Sequence, residues 1–311
     1  MPRIVFPQPG HPIPDSGLSQ ERCIEVLLNS SKRRNGAVPI RRSFVQPAAS
    51  GNGDHTKEQS PLSKLVGARR GPDLDLYLLM SAVTTAAPFD VTERSELWAR
   101  CLGHHALGAS ASVKISRIWG HLEDYGLITR SQNGRFTRVT KRMEDGGGGV
   151  YRPPSGLADG PLEDIYFRLP FQYWSDQLHK RLLLPGKAML LICMSLRAPE
   201  FYITEAFAEW YGISPKTIRK GRKELLEAEI LTEVGVGIYV NTWLAPLTVS
   251  APKYAFAPPY NLNVSKRAQP PDGSAPASAE TTTGEGQGVA QAPNKLLLPA
   301  VEFLTSKREA G

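Results

Sequence analysis

Between Ser214 and Lys223 the chain carries Lys216, Arg219, Lys220, Arg222 and Lys223 and no acidic residue. On a helix turning about 100° per residue, Lys216, Arg219, Lys220 and Lys223 share one arc of about 100°, with Ile218, Gly221 and Leu225 roughly opposite. Such a helix packs through one face and offers the other to phosphates. Arg219 and Lys216 are also long enough to reach acceptors on guanine in a major groove, and Thr217 can add a hydrogen bond. A second basic constellation lies upstream. Lys114, Arg117 and His121 follow one another at spacings of three and four residues, so they form a stripe along one helix suited to a major groove, where Arg117 and Lys114 can also reach guanine acceptors and Ser112 and Ser116 can add hydrogen bonds. Arg130, Arg135, Arg138, Lys141 and Arg142 come next, in a stretch without an acid from Thr129 to Met143. Cations so placed suit a wing that tracks a phosphate backbone or sets an arginine into a minor groove.

The elements that must hold these side chains are legible from punctuation and periodicity. Ser214 is an N-cap candidate with Pro215 at the first helical position, and Gly212-Ile213 is a short turn after the amphipathic stretch Thr204–Tyr211. The run Ile230–Val240, interrupted at Gly235 and Gly237, reads as a hairpin. A copy of this pattern lies 103 residues earlier: Ile115 falls on Ile218, Leu122 on Leu225, Leu127 on Ile230, Ile128 on Leu231 and Thr129 on Thr232. That copy has its own hairpin from Leu127 to Thr140, with Asn133-Gly134 as its turn. Its helices are expected at 74–87, 93–102 and 111–125. In the second copy, a nearly all-apolar helix over 185–196 is expected to be the buried centre.

Helix, tight turn, basic helix and hairpin together resemble the winged helix-turn-helix superfamily. The segment Trp119–Arg130 looks like the end of a recognition helix and the first wing strand in regulators of the multiple-antibiotic-resistance type. The tandem arrangement is similar to plasmid replication initiators with two winged helices in one chain. The resemblance covers roughly 74–142 and 163–245, and its shared pattern is mostly apolar spacing. It implies a mainly α fold with small β-hairpin wings, in which helices 111–125 and 214–229 read double-stranded DNA. It also leaves a homodimer open, since wing-bearing regulators often pair through helices outside the motif.

The organisation expected from composition is a largely disordered basic arm at 1–72, winged-helix units at 73–143 and 163–246, a Gly/Pro joint at 144–162, and a low-complexity tail at 247–311. The joint is expected to let the units orient separately, so that a monomer covers two half-sites. A short apolar cluster, Leu296–Leu304, is a candidate docking peptide for a protein partner. The formal net charge of +7 is uneven. Residues 1–72 hold 11 cations and 5 acids, 74–142 hold 9 and 6, and 163–246 hold 10 and 10, so the last segment is neutral overall yet strongly segregated.

No apolar run approaches the roughly 20 residues that span a bilayer, and the amino terminus lacks a signal-peptide core, so a cytoplasmic, nucleoid- or plasmid-associated protein is expected. Cys23, Cys101 and Cys193 are too scattered for a disulfide framework or a metal site, and no cofactor is implied. Enzyme motifs are missing. Gly146–Gly149 lacks the lysine and flanking elements of a phosphate loop, there is no Gly-x-Ser-x-Gly elbow, and His104-His105 has no third ligand at useful spacing. The function classes left are a transcriptional regulator, a replication initiator of a plasmid or mobile element, and a tandem winged-helix interaction module. The basic arc of 214–229 counts against the last. High Arg, Ala, Gly and Pro usage suggests a high-GC bacterial genome.

Overall fold

The computed structural model describes residues 18–33, 35–46, 59–104, 108–155, 164–204, 207–240 and 248–263. Its elements begin with α1 (Gln20–Ser30), β1 (Ala37–Arg41), a 3-10 turn at Arg42–Phe44 and α2 (Pro61–Gly67). Next come α3 (Gly71–Val83), β2 (Asp90–Thr92), α4 (Ser95–Cys101), α5 (Ala109–Asp124), β3 (Ile128–Asn133) and β4 (Phe136–Lys141). After β5 (Tyr166–Pro170), α6 (Gln172–Ser175) and α7 (Leu178–Arg181), the order repeats: α8 (Leu184–Leu196), β6 (Phe201–Tyr202), α9 (Phe207–Tyr211), α10 (Pro215–Glu227), β7 (Leu231–Val240) and β8 (Thr248–Phe256).

The internal repeat extends to sheet topology. In the first copy the three strands are ordered β2-β4-β3, in the second β6-β8-β7, all antiparallel. In both, the short strand before the helical pair is joined to the last strand of the hairpin. The positions aligned by the 103-residue offset occupy equivalent places in the core, Ile115 with Ile218 and Leu122 with Leu225 being buried, as are Leu127, Ile128, Ile230 and Leu231.

A mainly α fold with small wings is not what forms. Among the described residues, helix accounts for about 46% and strand for about 21%, and three antiparallel sheets make the fold mixed α/β. Part of the unexpected strand content lies in short strands that pair at long range, which leaves no local period to read. β1, with Pro39 at its centre, pairs with β5 more than a hundred residues away, Val38 opposite Leu169 and Ile40 opposite Phe167. The second hairpin also turns elsewhere. β7 runs through Gly235 and Gly237 as one strand with an irregularity between Glu233 and Gly235, and its partner β8 lies in the segment expected to be a low-complexity tail.

The expected disordered arm contributes α1, β1 and α2, and their Ile24, Leu27, Ile40, Leu62 and Leu65 join one hydrophobic cluster that runs through both copies. The segment expected as a flexible joint is anchored where it is described. Glu144 is fully buried, Tyr151 is buried, and Met143 N–H donates to the Gly149 carbonyl at 2.9 Å. Gly126, at φ +68°, sits so close to this segment that a Cβ would lie 2.3 Å from the Gly146 carbonyl oxygen. Beyond β8, Tyr260 is buried, its hydroxyl donating to Asp176 Oδ2 at 2.7 Å, and Asn263 Oδ1 accepts from the Arg168 N–H at 2.6 Å. Leu296–Leu304 lies outside the described residues.

The copies meet along a polar seam inside the core. Lys187 Nζ, on α8, donates to both oxygens of Asp75, on α3, at 2.6 and 2.7 Å, and Tyr173 Oη donates to the same carboxylate at 3.2 Å. Burial pushes the Asp75 carboxyl above its ordinary range, while the Lys187 ammonium opposes that shift. His179 packs beside Tyr173, ring centroids 6.4 Å apart, and burial, with Lys187 and Lys180 nearby, pushes its imidazole down to about 4.

Two outcomes follow for stability. Asp75→Ala leaves the Lys187 ammonium buried without a counter-charge and should cost about 3–5 kcal/mol in urea unfolding, whereas Asp75→Asn with Lys187→Met should recover much of that loss. His179 favours the fold while neutral, so its contribution is complete above its ordinary value of 6.5 and is lost as pH falls toward 4. Unfolding measured across that window should lose up to about 3 kcal/mol from this group, and His179→Gln should flatten the profile.

Candidate nucleic-acid interface

Helix α10 is built to present its cations. The Ser214 hydroxyl accepts the Thr217 N–H at 3.1 Å and lies 2.9 Å from Thr217 Oγ1, so the cap absorbs the threonine hydroxyl as well as a free helix-terminal donor. Ile218, Gly221 and Leu225 face inward. Gly221 lets the helix lie directly on α8: a Cβ there would come within 2.3 Å of the Pro185 carbonyl oxygen and 2.4 Å of Met189. Glu224 Oε2 accepts the Leu183 N–H at 2.9 Å, tying α10 to the start of α8. With that face committed, Lys216, Arg219, Lys220 and Lys223 all stand exposed. Lys223 reaches Glu227 at 3.6 Å, a loose surface pair. No hydrogen bond or ion pair engages Lys216, Arg219 or Lys220 among the described residues.

The first copy uses most of its candidate cations internally. Lys114 is half-buried without a hydrogen-bond or ion-pair partner among the described residues, and after burial itself its charge contributes to holding the His104 imidazole below its ordinary pKa. His105 lies outside the described residues. His121 is fastened into the scaffold, its Nδ1 lying 2.8 Å from Asp73 Oδ1 and 2.6 Å from Arg70 Nη1. It therefore joins α5 to α3 and its face is not free. Arg130 is folded back onto α5, donating through Nε to Glu123 Oε2 at 2.7 Å and through Nη1 to the Ser116 carbonyl at 3.3 Å. Arg138 Nε lies 3.4 Å from Asp90 Oδ2, and Arg142 Nε donates to Thr129 Oγ1 at 3.1 Å.

Lys141 departs furthest from the sequence expectation of a surface contact. Its side chain is 1% exposed, and its Nζ donates to Glu144 Oε1 at 3.0 Å and sits 4.1 Å from the centroid of the Tyr151 ring. Arg41 Nη1 donates to the other Glu144 oxygen at 2.7 Å, so this cluster welds the end of the first wing to β1. The reason is strand alternation: Val139 and Lys141 share the inward face of β4, whereas Arg138 points outward. Arg117 and Arg135 remain exposed, Arg135 at the turn between β3 and β4, and neither has a partner among the described residues.

Of the cations the sequence singles out, those exposed without a partner among the described residues are thus Lys216, Arg219, Lys220, Arg117 and Arg135, with Lys223 weakly paired and Lys114 half-buried. The residues that set them in place, Gly221, Glu224, Asp73 and Arg70, carry no motif. Their roles depend on contacts 41 or more positions away for Glu224 and 48 or more for Asp73 and Arg70. Among the described residues no group of three or more His, Cys, Asp or Glu side chains could hold a metal ion, the three cysteines are buried free thiols, and no helix is long and apolar enough to cross a membrane. No known protein family, no curated protein and no solved structure matches the chain.

The burial pattern separates structural cations from surface ones. Lys141→Met leaves Glu144 short of a partner and should destabilise the protein by about 3 kcal/mol or more. Arg135→Ala and Lys220→Ala should each stay within about 0.5 kcal/mol of the parent. Equal losses for all three in urea unfolding would contradict the assignment.

Proposed function

We propose that the chain is a sequence-specific double-stranded DNA-binding protein, acting as a transcriptional regulator in the bacterial cytoplasm at the nucleoid. The observation that carries this reading is the exposed, unpaired cationic face of α10, backed by an apolar face that fixes the helix against α8. Each copy's order of elements, a short strand, a helical pair and then a hairpin, supports treating the pair as winged helix-turn-helix units. In that arrangement α10 enters a major groove, with Arg219 and Lys216 reaching base acceptors and Lys220 and Lys223 on phosphates. Arg117 and Arg135 supply further phosphate contacts from the first copy. The seam keeps both sets of cations on one body, so a single chain can engage two neighbouring stretches of one duplex.

Recovery and sequencing of genomic and native plasmid DNA bound by the purified protein, at two salt concentrations, tests the reading. Inverted repeats near promoters support regulation, repeated sites within a replication origin turn the assignment to an initiator, and no recovered DNA at either salt overturns it. If about five phosphates are neutralised, those held by Lys220, Lys223, Arg117 and Arg135 among them, log K should fall against log salt with a slope of roughly −4 to −5. Lys220→Ala with Lys223→Ala should make that slope shallower by about 2. An unchanged slope in a folded double variant would remove these two residues from the interface.

A further inference from the structure

The 103-residue offset that superposes the core of α5 on that of α10 also aligns their outer faces, and those faces differ. Lys216, Arg219, Lys220 and Lys223 fall on Val113, Ser116, Arg117 and Gly120. One of the four cations survives in the first copy. Val113 is 60% exposed where Lys216 has its ammonium, and Ser116 spends its carbonyl on Arg130. The place of Lys223 is taken by Gly120, over which Arg130 lies, its Nη2 3.8 Å from where a Cβ would be. His121, which the sequence places on the basic stripe, is held by Asp73 and Arg70.

The wings differ in the opposite sense. The first carries Arg135 free at its turn and Arg138 half-exposed, with its side chain 45% open beside Asp90. In the second, the described side chains of β7 from Leu231 to Gly237 include no cation and one acid, Glu233, with Val234 and Val236 exposed, and the lysine of β8, Lys253, donates to Glu200 Oε2 at 3.3 Å. The copy with the basic helix has a wing whose lysine, Lys253, is engaged by Glu200, and the copy with the basic wing keeps one of the four cations on its helix face.

Resting on the DNA-binding reading above, we infer that the two copies divide the work: α10 alone discriminates base sequence, with Arg219 and Lys216 as its specificity-determining residues, and the first copy holds the phosphate backbone through Arg117 and Arg135. Base discrimination needs side chains that are free to be oriented by the groove, and α10 has them. Backbone holding needs charge with little geometric demand, which two free arginines on α5 and the first wing supply.

The test is selection of binding sites by the full chain from a randomised duplex pool at one ionic strength, with circular dichroism confirming the fold. Three proteins are compared: the parent, Lys216→Ala with Arg219→Ala, and Arg117→Ala with Arg135→Ala. The first pair should erase preference at a contiguous set of positions and lower the ratio of specific to non-specific affinity roughly ten- to a hundredfold. The second pair should weaken every sequence alike, leave the consensus unchanged, and make the salt slope shallower by about 2. A consensus altered by the second pair, or unchanged by the first, overturns the division while leaving DNA binding intact. A parent that binds no duplex overturns the DNA-binding reading itself, and the division with it.

Discussion

The contact of half-buried Asp75 with buried Lys187, with the Tyr173 hydroxyl on the same carboxylate, is the constraint from which the rest of the molecule is organised. It joins the opening helices of the two copies, α3 and α8, inside a single hydrophobic cluster. An ion pair placed there adds little net stability compared with apolar residues of the same volume, because desolvation offsets most of the attraction. What it does contribute is selectivity: a register in which the helices slide by a turn leaves a charge buried alone. Since α5 packs on α3 and α10 on α8, fixing α3 against α8 fixes the separation of the two basic elements. The Glu144 cluster with Arg41 and Lys141 does the same for the first wing.

Glycine at two positions lets backbones approach closely enough for this arrangement. Gly221 brings α10 onto the start of α8, and Gly126 brings the end of α5 against the segment around Gly146. Both approaches are between backbones, where no rotamer change could make room for a side chain. Once α10 is seated this closely, its opposite face is turned fully to solvent. The clustering of cations there and their exposure have one cause, the commitment of the Ile218–Gly221–Leu225 face to the core.

What could be read from sequence followed the range over which each signal acts. Helices α5 and α10, the Ser214 cap and the first hairpin were legible because periodicity, capping and the Asn133-Gly134 turn operate within a few residues. The repeat was legible because both copies bury the same apolar positions. The strand β1 was not, since Pro39 argues against a strand and its partner lies beyond the next hundred residues. The tail containing β8 was misjudged because Pro252 and the small residues around it read as irregular chain, although pairing with β7 fixes them. Composition likewise read the Gly-rich stretch after Met143 as a free joint, where burial of Glu144 and Tyr151 ties it down. For the candidate interface, residue type predicted where cations occur but not which are free. Lys141 and Arg142 are adjacent, and strand alternation sends one into an ion cluster and leaves the other partly open. His121 and Arg117 lie on one helix, four residues apart, and Asp73, a distant acid, decides which of them is engaged.

Hydroxyl-radical footprinting of the full chain on a recovered binding site shows whether the two contact elements, held on one body, meet DNA at a fixed separation. Two protected blocks are expected, one around the α10 site and one on the neighbouring backbone, with the same spacing at every site. A single protected block, or two whose spacing varies from site to site, would contradict that fixed separation.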